Sequence, residues 1–190
     1  MLALRNAIAD GMTAESASLA QRLIDGALSL VEWAKAFAKL IRAGVGAGFL
    51  LGRGGRATAD AAAKAALADL VNTQLAYAKA FAADVGLRLG DGTATVEGVA
   101  ARSALYAGAS VQAFDQGRSL DWGVRLPFYP SDGDTACGGN CRCAWEIADF
   151  EDRIEATWHT EGDSRVCDDC RSRGNRYGPG SPFVQSKVSA

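Results

Sequence analysis

The chain has 190 residues, 48% of them hydrophobic, a formal net charge of -2 and a single histidine. That length holds one sizeable core, or a core plus a small module, and a near-neutral balance excludes a protein that binds polyanions over its whole surface. The longest stretch free of polar side chains, residues 43–52, is far short of the roughly 20 residues that span a bilayer, so no membrane partner is expected.

Residues 1–12 carry no strong periodic signal. Thr13 is a candidate cap for a helix with Ala17, Leu19, Ala20, Leu23 and Ile24 at helical spacing, interrupted at Gly26. Ser29 and Glu32 form a capping-box pattern, in which the serine accepts from the third amide and the glutamate reaches back to the serine amide. The helix that follows carries one apolar stripe: Leu30, Trp33, Ala34, Phe37, Leu40 and Ile41. Such a stripe reads as core, not as a cofactor contact. Gly44, Gly46, Gly48, Gly52, Gly54 and Gly55 come next. They lack the Gly-Lys-Ser/Thr ending of a phosphate loop and follow a helix instead of a strand. They read as a flexible connector or as a helix end packed against another backbone, with Arg53 and Arg56 available to an acidic partner.

Thr58 is a candidate cap for the longest helix, whose stripe is Ala63, Leu67, Leu70, Val71, Leu75, Tyr77, Ala78, Phe81 and Val85. Gly86 can end it, and residues 87–95 read as a turn. A further helix carries Val96, Val99, Ala100, Ala104, Tyr106, Ala107, Val111 and Phe114, ending near Gly117. Alanine supplies much of the apolar content, so these helices are expected to approach closely around a few large anchors as a bundle. At Leu126-Pro127-Phe128-Tyr129-Pro130 the character changes to prolines, aromatics and the turn-forming Asp132-Gly133-Asp134.

All five cysteines lie between 137 and 170. Cys137, Cys141 and Cys143 form one group, and Cys167-Asp168-Asp169-Cys170 the other. Between them Ala144–Ala148 and Arg153–Trp158 alternate apolar with polar residues about a polar turn at 149–152, the pattern of a hairpin. Pairing about that turn sets Cys143 beside Trp158 and His159 and brings both cysteine groups to one end of the hairpin. Four thiolates close a tetrahedral zinc site with no open position, which is a structural role. Cys137, Cys141, Cys167 and Cys170 are the first choice of ligands, with Cys143 or His159 as substitutes. The other reading is a disulfide pair plus a single thiol. The first ten residues lack an apolar stretch long enough for a signal peptide, so folding in a reducing cytosol is expected, and there clustered cysteines bind metal more often than they pair.

After Cys170 the chain holds Arg171, Arg173, Arg176, glycines and prolines with no apolar period. It reads as a basic flexible tail over 171–190. No constellation amounts to an active site. Cys143 and His159 are the only candidate nucleophile and base, and the neighbouring cysteines make ligation the simpler account of both. Glu155, Glu161 and Asp163 fall on exposed faces.

The segments Asn140-Cys141-Arg142-Cys143 and Asp163-Ser164-Arg165-Val166-Cys167-Asp168-Asp169-Cys170-Arg171 resemble the cysteine region of minor head proteins of tailed phages, the head-morphogenesis proteins of the Mu-type family. The likeness extends to Glu32-Trp33, to Gly52–Arg56 and to Leu126–Pro130. In the familiar pattern the Cys-x-x-Cys precedes the Asn-Cys-Arg-Cys, which histidine and proline often lead. Here the order is reversed and Gly139 stands directly before Asn140. The resemblance implies a virion component in few copies near the portal, with a role in head assembly or DNA delivery.

The expectation is therefore a mainly α protein: an N-terminal helical bundle over 1–120, a zinc-stabilised β-hairpin module over 121–170 and a basic tail over 171–190. Its expected function is that of a non-enzymatic minor head protein, located in the virion and in the host cytoplasm during assembly. The expected partners are portal, capsid or connector proteins, with packaged DNA reached through the tail. Two rivals stand beside it. One is a zinc-ribbon nucleic-acid-binding module with Arg165, Arg171, Arg173 and Arg176 on phosphates, and the other is an enzyme using Cys143 and His159.

Overall fold

The computed structural model describes residues 1–55, 61–129, 134–136, 143–160, 162, 164 and 166–187. Among these, α-helices and one small antiparallel sheet follow in the order α1 (Leu2–Ile24), α2 (Leu30–Gly52), α3 (Ala61–Gly90), α4 (Val96–Ala104), a 3-10 turn (Leu105–Ala107), α5 (Gly108–Asp121), β1 (Ala144–Asp149), β2 (Arg153–His159), α6 (Asp168–Tyr177) and β3 (Phe183–Ser186). The chain is mainly helical. No helix among the described residues is long and apolar enough to cross a membrane.

Helix α2 is the hub, packed against α1, α3 and α5. Its start is set by Ser29, whose side chain accepts from the Glu32 amide while Glu32 accepts from the Ser29 amide at 2.8 Å. This is the capping box the sequence shows. Trp33, Phe37, Ile41, Val45 and Phe49 form its buried stripe. Trp33 and Phe37 stack at 5.4 Å between ring centres, and both meet Phe81 of α3 edge-on. Tyr106 closes the cluster against Phe37 at 5.1 Å. Leu19, Ala20 and Leu23 of α1 complete this core.

Of the two readings of the glycine run, the structure shows the helix end packed against another backbone, not the flexible connector. Gly44, Gly48 and Gly52 lie inside α2 and are buried, four residues apart and so on one face. A Cβ at Gly48 would overlap the Ser110 carbonyl, one at Gly52 the Phe114 carbonyl, and one at Gly117 of α5 the Phe49 carbonyl. The glycines let the backbones of α2 and α5 meet where any side chain would hold them apart. Only at Gly54 and Gly55, both at positive φ, does the helix end. Arg53 meets Asp121 within the fold at 3.5 Å. Arg56 and the candidate cap Thr58 lie outside the described residues.

Three boundaries also differ from the periodicity. Helix α1 begins at Leu2, so Thr13 sits inside it, with its hydroxyl donating to the Ala9 carbonyl at 3.0 Å. Helix α3 continues through Gly86 to Gly90, and the turn narrows to the segment around Gly92. The helix expected over 96–117 is two helices broken by a 3-10 turn, which brings Tyr106 into the core.

The hairpin forms with Trp145 opposite Trp158 and Ala144 opposite His159. Strand β2 is central, flanked by β1 and β3, and alternates strictly, with Ile154, Ala156 and Trp158 inward. The basic flexible tail expected over 171–190 is corrected by α6 and β3. Strand β3 pairs antiparallel with β2, setting Phe183 opposite Ala156 and Gln185 opposite Ile154. Arg173 of α6 lies over the Phe128 ring at 4.0 Å, and Tyr177 joins the aromatic cluster at 5.6 Å from Phe128. The order comes from an open strand edge and an aromatic surface supplied elsewhere in the chain, which no apolar period within the segment would reveal.

Candidate metal centre

A second buried cluster gathers Val124, Leu126, Cys143, Trp145, Ile154, Ala156, Trp158, Val166 and Cys170. Its centre is aromatic. Trp145 and Trp158 meet edge-on at 5.1 Å, and Phe128 lies 4.9 Å from Trp158. The Trp145 indole donates to the Phe128 carbonyl at 2.8 Å, which pins the proline-rich segment to the hairpin. Tyr129 and Ser119 share a hydrogen bond of 2.7 Å, joining that segment to α5.

The cysteines stand at one end of this cluster. Cys143 immediately precedes β1 and is buried, and Cys170 in the first turn of α6 is fully buried. Cys167 caps α6: its sulfur accepts from the Cys170 amide at 3.5 Å. Unpaired amides and the helix dipole at such an end favour negative charge on the capping atom. One residue before Cys137, the amide of Ala136 donates to Asp169 Oδ2 at 2.9 Å. The chain is thus held at α6 just before Cys137, and at Cys143 it is buried in the cluster that contains Cys170. Six residues, 137–142, join these anchors.

Cys137 and Cys141 lie outside the described residues, as do Glu161, Asp163, Arg165, Asp132 and Gly133. Among the described residues no three His, Cys, Asp or Glu side chains are grouped to hold a metal ion. The Nε2 of His159 lies 2.8 Å from Glu146 Oε2, across the hairpin. Glu155 is bound to the Arg153 guanidinium at 2.9 Å.

A cleft of about 630 Å³ opens between α1, α5 and the hairpin, lined in part by Arg5, Asp115, Arg118, Glu146 and His159. Asp115 is 3% exposed. Burial pushes its carboxyl up to about 7, against the pull of Arg5 and Arg118. Arg118 is itself half-buried, over the Trp122 ring at 4.4 Å and 3.9 Å from Asp149 of the hairpin. Sequence reading passed over Asp115 and Asp169. Asp115 could have been found from its place beside Phe114 on the inward face of α5, whereas the bond to Asp169 spans 33 positions and leaves no local signal.

No protein-family profile, curated protein or solved structure matches this chain.

Proposed function

We propose that this chain is a structural component of a tailed-phage virion, a minor head protein near the portal that acts in head assembly or DNA delivery, with a zinc-stabilised C-terminal module. The observation that supports the metal reading is that Ala136, just before Cys137, is bonded to Asp169 of α6, while Cys143 packs in the cluster shared with Cys170. In sequence Cys137 and Cys141 fall between Ala136 and Cys143, and with Cys167 and Cys170 they would supply a closed tetrahedral site. The virion assignment rests on the resemblance of the cysteine segments. The proposed partners are portal, capsid or connector proteins. Packaged DNA would be met through the C-terminal segment after Cys170.

Cys143 and His159 are given no catalytic part, because Cys143 packs in the apolar cluster and His159 pairs with Glu146. The nucleic-acid module reading is weaker. Arg171 is tied to Asp168 at 2.9 Å, Arg173 lies over Phe128, and Arg176 lies over Tyr177 at 5.0 Å.

Mass spectrometry and immunogold imaging of purified particles from a host expressing this chain with its neighbouring genes test the assignment. The expected result is a few copies per particle at the portal vertex. Absence from particles, with the protein found instead on cellular nucleic acid, would overturn it.

A further inference from the structure

The outer side of the bundle carries a furrow of about 670 Å³ between α2 and α3. It belongs to neither the cysteine module nor the hairpin cleft. Its lining includes two alanine pairs, Ala34 with Ala38 and Ala78 with Ala82. Each pair is spaced i, i+4 and so stacks along one helix face. Alanine rows make a shallow groove that a third helix can enter at close range, its ridge of larger side chains seated between the two. Val31, at one end of the lining, is 61% exposed, an apolar side chain left to water where a partner would cover it.

Charge indicates what kind of helix would fit. Lys35, Arg42 and Lys79 border the furrow, and among the described residues no Asp or Glu lines it. The nearest carboxylate on α2, Glu32, is committed to the Ser29 cap, with its Oε2 2.8 Å from the Ser29 amide and 2.7 Å from the hydroxyl. An apolar floor with cations on its borders complements a helix that has an apolar stripe flanked by acids.

We propose that this furrow docks an acidic amphipathic helix of a partner protein. The inference stands on the furrow alone and goes beyond the virion reading. Either can fail without the other.

The test uses the full chain and a synthetic helical peptide with a leucine stripe flanked by glutamates, followed by fluorescence anisotropy. A second peptide carries lysines in place of the glutamates. The acidic peptide is expected to bind, and the double variant Lys35→Glu, Lys79→Glu to weaken it about tenfold or more with an unchanged thermal melt, since both lysines are exposed. Ala38→Arg, which fills the groove without altering the lysines, is expected to abolish binding. Three results would overturn the proposal: no binding of the acidic peptide, equal binding of the lysine peptide, or binding unaffected by these variants. Sedimentation showing a dimer that Ala38→Arg dissociates would assign the furrow to a second copy of this chain. Binding to phosphatidylglycerol vesicles, lost in the same variants and with no peptide binding, would assign it to a lipid surface. Both also overturn the proposal.

Discussion

The amide of Ala136 donates to Asp169 Oδ2 at 2.9 Å, fastening the residue before the first cysteine to the helix turn that holds the second cysteine pair. If zinc closes this arrangement, purified protein contains about one metal ion per chain. Cys167→Ser and Cys170→Ser, the first-choice ligands, are expected to lose it, and Cys143→Ser, a substitute outside that set, to keep it. Elemental analysis of the three variants checks this. A metal-free protein with two disulfides in its mass spectrum would sink the zinc reading.

The glycines of α2 differ in what surrounds them. Gly48 faces the Ser110 carbonyl, whereas nothing lies within 4 Å of where a Cβ on Gly46 would stand. Gly48→Ala should force α2 and α5 apart and destabilise by about 1–3 kcal/mol. Gly46→Ala, inside the same helix, should stabilise by about 0.5–1 kcal/mol through the lower entropy of the unfolded chain. Denaturant unfolding of the two variants gives the comparison, and equal effects would contradict the close-contact geometry.

Asp115 makes stability depend on pH with a defined sign. Its ordinary value is 3.8, and in the folded chain burial raises it to about 7. Between those values the folded state holds a proton that the unfolded state has released, so this group's contribution to stability falls as pH rises and levels off above about 7. A gap of about three pH units corresponds to at most about 4 kcal/mol. Asp115→Asn removes the titration. The variant should match the parent near pH 4 and exceed it in melting temperature at pH 8. A difference that does not change with pH would show that the carboxyl is ionised in the fold at all these values.

Deleting residues 183–190 removes β3 and uncovers the edge of β2, together with the contact of Phe183 with Tyr177 at 6.1 Å. Loss of the ordered strand and of the Lys187 pairing with Asp149 should lower the melting temperature of the C-terminal module. It should also raise amide exchange in 153–156, the residues that pair with β3. Unchanged exchange there would mean that the β2–β3 pairing contributes nothing to stability.

The features legible in the sequence are those whose causes lie within a turn or two of the chain. The Ser29–Glu32 box closes over four residues. The stripe of Trp33, Phe37 and Ile41 declares itself by helical spacing, and the hairpin by alternation around a polar turn, so its register could be placed to within a residue of Cys143. The glycine run is different. Whether Gly48 belongs to a loop or to a helix is decided by Ser110, 62 positions away, whose backbone must come close for the glycine to have a purpose. The C-terminal segment is similar: Arg173 and Phe183 are ordered by Phe128 and by the free edge of β2, not by any pattern of their own. Local hydrogen bonding and side-chain periodicity are written in neighbouring residues. Close backbone approach, edge pairing and the burial of Asp115 depend on surfaces that exist only once distant segments have met, and the tertiary structure alone decides them.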